Sequence, residues 1–514
     1  MPPGVTIAVT DRGVLIALLG GMAIDVLVVG SGYGGSVVAA RLAPHARVVL
    51  VERGRWWRPG DFPETVSDLC RAYRSARNPR GLWSVQLGRG TGVGLASAVG
   101  GSSPINYGIT SRPDDHAFAT WPVSAAELAP WFERARAVLR PEPDPLADEL
   151  GDRRFLDLVE PGRRVDLENT IDWRRCTRCG RCVAGCNVGA KRALDETYLE
   201  LALRAGAELR AETEVRALVR RGDDGYAVEV RPTGGGAPEW LHARTVVLAA
   251  GTLGTLDLLR HAEVPVGPRF GQDISLNGDA LAFLHDVPYP LSGHSGAPIS
   301  TSVRIPFVGD DGHTRTLMVM SGRVPRTAMR FAAAALGVLG ALRRFPTAGD
   351  AWRRRLHDLR TVDEGGALSR TFMYKLDGED SARGVARFTA RGAVVDWPDY
   401  ADDPILHFAD QRLRAWAEAV GGTVVPNVAR LPGMRSFSVH PLGGCRMGAT
   451  FEDGVVDDVG RVFAPSGGVH PGLRIADGSI VPTSLGVPPS WTIAALAERI
   501  ADDLVRERAK EETR

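Results

Sequence analysis

Four cysteines fall within CTRCGRCVAGC, residues 176–186, of a chain of 514 residues that holds 6 cysteines in all. Cys176, Cys179, Cys182 and Cys186 follow C-x2-C-x2-C-x3-C. Steps this short let four thiolates converge on one iron–sulfur cubane, so a 4Fe–4S cluster is the favoured ligand. The fourth cysteine is followed by Asn187 where such runs usually carry proline, and there is no second run. Zinc on four thiolates, usually arranged as two separated pairs, and metal-free thiols both stay open.

A second chemistry is written around residue 30. IDVLVVGSGYGGSVVAARLA reads as a buried strand, a turn Gly30-x-Gly32-x-x-Gly35 and a helix, and VVLVERG ends the next strand at Glu52. This is a dinucleotide-binding pattern. Gly30 allows the tight turn, Gly32 lets the backbone approach a pyrophosphate, Gly35 lets helix pack on strand, and Glu52 is placed for a ribose hydroxyl. AVGGSSPINYG, 98–108, is another glycine turn, and VVLAAGTLGTLDLLR, 246–260, another strand, turn and helix. Near the C-terminus Asp477-Gly478 follows a strand, in reach of a ribityl-type hydroxyl, and Ser490 reads as the N-cap of TIAALAERIADDL. A helix N-terminus there favours negative charge on a reduced ring. Histidine near neutral pKa suits removal of a hydroxyl proton, and His440, in HPLGGCRMG, is the candidate.

Taken in order from Ile24 to about Leu504, these segments resemble the glucose-methanol-choline (GMC) family of flavoenzymes, most closely its cholesterol-oxidase-like branch. The resemblance implies FAD contacts at Gly30, Gly32, Gly35, Glu52, Gly100, Gly101, Ser102, Asn106, Val215, Gly251 and Asp477, and an active-site histidine at His440. It departs at the second active-site position. Where the family has His or Asn, this chain reads Gly486-Val487-Pro488-Pro489-Ser490, and proline offers no donor. Asn106 or Tyr107 is then left to hold the alcohol, or the reaction is not plain alcohol oxidation. RTLMVMSGRVP, at the place of the branch's carboxylate base, holds no acid, so no steroid isomerisation step is expected. The cysteine run leads into NVGAKRALDETYLELAL, which resembles a flavin-proximal segment. A cluster there would draw single electrons from flavin and make the enzyme a dehydrogenase; the plainer alternative is a stiffened segment.

The implied function is oxidation of the CH–OH group of a small-molecule alcohol, of sterol, polyketide or sugar type, to a carbonyl by hydride transfer to FAD. The acceptor would be oxygen or an electron-acceptor protein. The alternatives are flavin-dependent desaturation, isomerisation or internal redox, and, third, a flavin/cluster electron carrier without catalysis.

Around these residues the chain must build a large scaffold. With 62 basic against 61 acidic residues, nothing asks for nucleic acid as a partner. Bunched rather than spread cysteines point to a reducing, cytoplasmic setting. GVLIALLGGMAIDVLVVG, 13–30, is broken by Asp25, and Met22 is a second candidate start, leaving 1–21 as an extension. The expected fold is α/β: a Rossmann-like FAD-binding domain from 22–112, 187–270 and 455–508, and an α+β substrate domain with an antiparallel sheet from 113–175 and 271–454. The cluster-binding insert is 176–186. The stretches 113–175 and 271–454 read as irregular and rich in Pro, Arg and Gly. TAMRFAAAALGVLGALRRF, 327–345, reads as a core helix, too short to cross a bilayer, or as a lip over a greasy pocket that leaves room for peripheral membrane contact. RRFPTAGDAWRRR reads as a solvated basic face. Asp310, Asp311, Asp363 and Asp377 read as surface loops or as partners for a cationic sugar.

Overall fold

The structure is a computed structural model that describes residues 7–9, 15–17, 24–262, 264–291, 299–309, 312–324, 329–343, 350–427 and 435–512. Of the N-terminal extension it describes only a short hairpin, Ile7–Val9 with Leu15–Ala17. Asp310 and Asp311 lie outside the described residues.

The strands Ile24–Val29 and Val48–Val51 are almost wholly buried, and their unbroken Val/Leu/Ile runs are what a parallel strand covered on both faces requires. They pair in parallel at the centre of an eight-stranded sheet, between Glu208–Arg210 on one side and Glu239–Leu248 on the other. Glu239–Leu248 changes partners along its length. Its first half runs antiparallel to Tyr226–Pro232, and its second half runs parallel both to Ile24–Val29 and to Val469–Ile475. One strand thus brings the beginning, the middle and the end of the chain to a common edge.

Two helices cover this sheet beside the first glycine turn, Tyr33–Leu42 and the 23-residue Ser490–Glu512. They are clamped by Glu498, which is fully buried. Arg41 donates to it in a two-pronged bond of 2.7 and 2.9 Å, Tyr198 donates at 2.5 Å, and Arg134, from the helix Ala125–Leu139, lies at 3.0 Å. A buried carboxylate this well supplied with donors costs little to hold, whereas removing it would strand two arginines.

The second sheet has six antiparallel strands in the order Thr423–Val425, Ala280–His285, Phe372–Gly378, Thr314–Gly322, Thr301–Val308 and Arg164–Asp166. The stretches expected to be irregular are therefore built mainly of this sheet and of helices such as Gly151–Val159 and Pro404–Val420. The disguise is physical. Phe372–Gly378, FMYKLDG, is buried along its whole length, yet Lys375 and Asp377 break its apolar pattern. Those two charges serve the site described next. Asp363 does pair near the surface, with His357 at 2.6 Å, but Asp377 is fully buried and is no surface-loop residue. Among the described residues no helix is long and apolar enough to cross a membrane.

Candidate active site

The first glycine turn is closed on three sides and open on the fourth. A Cβ at Gly30 or Gly35 would drive into the backbone of Ala249 or Gly30, and one at Gly34 would sit 1.4 Å from the Ala476 carbonyl oxygen. At Gly32 it would meet nothing within 4 Å. The bare backbone at Gly32 faces free space, the feature needed where a pyrophosphate approaches. Gly101 packs directly on Gly32 from the second turn. Ser31 ties the parts together: its N–H and hydroxyl donate to Glu52 at 3.0 and 2.7 Å, and its hydroxyl accepts from Gly100 N–H at 2.9 Å. Glu52 also accepts from Gly54 N–H and is buried at the strand end.

The other expected cofactor positions gather around the same turn. Gly251 opens the helix Thr252–His261 with empty space at its Cα, and Thr255 of that helix donates to Asp477 at 2.5 Å. Burial raises the Asp477 carboxyl above its usual range, partly offset by hydrogen bonds from Ser479 and Thr255. Gly478 accepts from Gly443 N–H, joining the Asp477 turn to the HPLGG segment. Val215 sits at an irregularity in its strand pairing, and Ser102 is exposed at the turn that follows Gly101. Ser490 is the first helical residue rather than a cap. Its hydroxyl bonds the Ile109 carbonyl and the Tyr33 phenol, because Pro489 already supplies the carbonyl that accepts the first helical bond.

His440 belongs to a buried ladder of charge. Its Nδ1 lies 2.9 Å from Asp377 Oδ1, and Lys375 Nζ lies 3.3 Å from that same oxygen and 2.5 Å from Asp279 Oδ1. Asp279 also accepts from Val439 N–H at 2.8 Å, fixing the backbone beside the histidine. Burial would raise the Asp377 carboxyl, but Lys375 and His440 outweigh it and hold Asp377 below its usual range. An ionised carboxylate only accepts, so the proton between the two sits on Nδ1. Asp279, Asp377 and His440 are also the one triad of ligand atoms within 4.8 Å of each other among the described residues, yet the Lys375 ammonium in their midst makes this an ion-pair network rather than a metal seat.

Around Pro488 the loop is hung on Asn277, which accepts from Leu485 and Gly486 N–H at 2.9 and 3.1 Å and donates to the Val487 carbonyl at 2.8 Å. Pro488 adds no donor to the site. The Asn106 side chain is spent on Tyr33, to which it donates at 2.9 Å, and on Gly108 N–H, so it does not fill the gap. Tyr107 stays a neutral donor: burial raises its phenol far above the usual range, and Cys182 and Asp279 both push it the same way.

The model of the GMC oxidoreductase N-terminal region matches residues 24–274 and that of its C-terminal region matches 351–497. The chain belongs to the GMC oxidoreductase family. It is similar to a cholesterol oxidase of Mycobacterium tuberculosis, 28% identical over 93% of this chain and 90% of that protein. A 2-methyl-1,2-propanediol dehydrogenase of Mycolicibacterium austroafricanum is 24% identical over 94% of this chain and 95% of its own. In three dimensions it is similar to pyridoxine 4-oxidase from Mesorbium loti, with TM-score 0.61 and 18% identity over 93% of this chain and 99% of that one. This GMC oxidoreductase is accordingly an FAD-dependent enzyme of the class acting on CH–OH donors, and the cradle fits that cofactor, with its open face at Gly32 and Gly251.

The four clustered cysteines of this GMC oxidoreductase line one small cavity with Gly180, Gly185 and Lys191. None is in a disulfide. Backbone N–H groups of Arg178 and Ala190 point at Cys176 and Cys186 Sγ at 3.4 and 3.3 Å. No three of the sulfurs lie within 4.8 Å of one another. Asn187 explains the missing proline: its amide bonds Gly60 N–H, Phe62 N–H and the Phe62 carbonyl, pinning the run to the 58–64 loop. Behind the cavity, Lys191 donates to the Asn106 carbonyl, and burial brings its ammonium down to about 8 against the opposing pull of Cys182 and Cys186. The cysteine pocket thus shares a wall with the second glycine turn.

Ser31, Gly34, Lys191, Asn277, Asp279 and Lys375 were not singled out by sequence reasoning. GSGYGG contained the signal for Gly34. The others act through contacts between segments up to some two hundred residues apart, as with Asn277 and Val487.

Proposed function

We propose that this enzyme oxidises the CH–OH group of an apolar alcohol to a carbonyl, with His440 taking the hydroxyl proton. The observation that carries the reading is the Lys375–Asp377–His440 ladder, in a segment that Gly443 N–H ties to the Gly478 carbonyl beside Asp477 in the cofactor cradle. FAD, when bound, supplies the hydride acceptor for the carbinol C–H. The protein's part is to hold the alcohol, accept its proton on Nε2 and stabilise the imidazolium formed through the Asp377 carboxylate. Tyr107 is assigned the donor role that Pro488 gives up.

The apolar substrate class rests on a second cluster of buried side chains, Val324, Met329, Ala333, Leu336, Met373 and Val425, with half-buried Tyr107 and Phe283 against it. Met373, Lys375 and Asp377 alternate on one strand and share a face. This apolar cluster and Asp377, the partner of His440, therefore lie on the same side of the sheet. The names of the relatives, cholesterol oxidase and long-chain-alcohol oxidase, agree with this class.

Cys176, Cys179, Cys182 and Cys186 are assigned to a 4Fe–4S cluster, which when bound passes electrons one at a time. Lys191 and the Asn106 backbone join its pocket to the cofactor turn. The acceptor on this reading is a protein rather than oxygen, and bunched cysteines serving a cluster support a cytoplasmic setting. A second reading, desaturation, isomerisation or internal redox without net alcohol oxidation, is favoured only by Pro488. Anaerobic mixing with a panel of sterol, long-chain and sugar alcohols tests the choice: flavin bleaching with carbonyl product supports oxidation, and a product without a new carbonyl, with bleaching for desaturation and without it for isomerisation or internal redox, supports the second reading.

A further inference from the structure

The lysine at the wall of the cysteine pocket is a buried cation with no anion set against it. Lys191 is 5% exposed, its Nζ donates to the Asn106 carbonyl, and it makes no ion pair among the described residues. The arginines within and just after the cysteine run are each matched: Arg178 pairs with Asp144, Arg181 with Glu64 at 2.7 Å and Arg192 with Glu142 at 2.7 Å. Lys191 and Arg178 both line the cavity, and no carboxylate does. Asp195 acts on Lys191 more weakly than Cys182 and Cys186 do, and its carboxylate accepts from Trp56 Nε1 at 3.0 Å.

The fold holds the lysine in this place. Its backbone bridges Ile171, Asp172 N–H donates to the Ala190 carbonyl at 2.7 Å, and Arg192 N–H donates to the Thr170 carbonyl at 2.9 Å. Burying an ammonium is unfavourable unless a counter-charge answers it. Neutral thiols do not answer it. Four thiolates around a cubane do, because together they outweigh the positive charge of the core.

We propose that Lys191 is the counter-charge of a 4Fe–4S cluster on Cys176, Cys179, Cys182 and Cys186 and raises its reduction potential. This role rests on the cluster reading and adds to it the residue that tunes the cluster. Reduction by one electron adds one negative charge beside the ammonium. Because Lys191 is buried, water screens that attraction poorly, and the reduced form is stabilised more than the oxidised one. The same ammonium is bonded to the Asn106 carbonyl, so the tuning charge stands at the wall shared with the cofactor turn.

The test is an anaerobic redox titration of the full-length, FAD-loaded enzyme with dithionite, reading the cluster's midpoint potential by electron paramagnetic resonance, with iron and flavin counted per chain. Lys191→Gln keeps a donor for the Asn106 carbonyl and removes the charge; Lys191→Arg keeps the charge. Lys191→Gln is expected to lower the midpoint potential at unchanged flavin content, and Lys191→Arg to stay near the wild type. If Lys191→Gln instead loses its iron, iron retained in Lys191→Arg supports the same role, since cluster binding then follows the charge. A midpoint potential that Lys191→Gln leaves in place overturns the role of Lys191 alone, as does an equal shift or an equal loss of iron in both variants. A wild type without iron overturns the cluster reading and this role with it.

Discussion

At the scale of single residues, the proposed chemistry turns on what holds His440. Replacing His440 by Ala is expected to slow flavin reduction by about a hundredfold or more, within the range for loss of a general base, with FAD content unchanged. Asp377→Asn should also slow it, through the wrong tautomer at Nδ1, and should alter the pH profile, which a purely structural defect would not do. Lys375→Met is expected to behave differently: it takes from the buried Asp279 and Asp377 the ammonium they share, so the loss should appear first as stability, about 3–5 kcal/mol by thermal or denaturant unfolding. His440 was legible because it sits in a recognisable segment. Lys375 and Asp377 were not, since charges inside a strand read as exposure until a partner from another segment is seen.

At the scale of elements, two glycines of the first turn make opposite predictions. Gly34→Ala puts a methyl into the Ala476 carbonyl and is expected to cost folded protein, whereas Gly32→Ala meets no protein atom and is expected to fold with normal Tm but lose FAD affinity. Flavin content and thermal unfolding of the two variants separate these outcomes. The Pro488 loop has a titrating neighbour. Glu379, which lies against Gly486, is pushed up to about 7 by burial, with His116 pulling the other way. A carboxyl raised in the folded state binds more protons there than when unfolded. Its stabilising contribution is therefore full below about pH 4.5 and is lost as pH rises to about 7. Glu379→Gln should flatten that part of the stability–pH curve. The glycine turns, the parallel strands and the C-terminal helix were legible because their signals are local. The antiparallel sheet was expected, but its individual strands were not legible, because they are short, carry polar groups to a shared face and take their register from long-range pairing.

At the scale of the whole molecule, the cofactor cradle, the proton acceptor and the cysteine pocket are three sites with common walls. Tyr107 feels both Cys182 and Asp279, and Lys191 bonds the Asn106 carbonyl from the cysteine side. The proposed cluster-linked dehydrogenase rests on this adjacency. The spacing of the four cysteines was legible from the start; their place against the cofactor turn was not, because Lys191 and Asn106 are 85 residues apart in sequence. The most direct measurement is an absorption spectrum of anaerobically purified enzyme before and after reduction, with iron, sulfide and zinc counted per flavin. The account predicts about four irons and about four sulfides per FAD, with a broad band that bleaches on reduction. Flavin with zinc, or flavin with no metal, would contradict it and return the cysteines to a structural role.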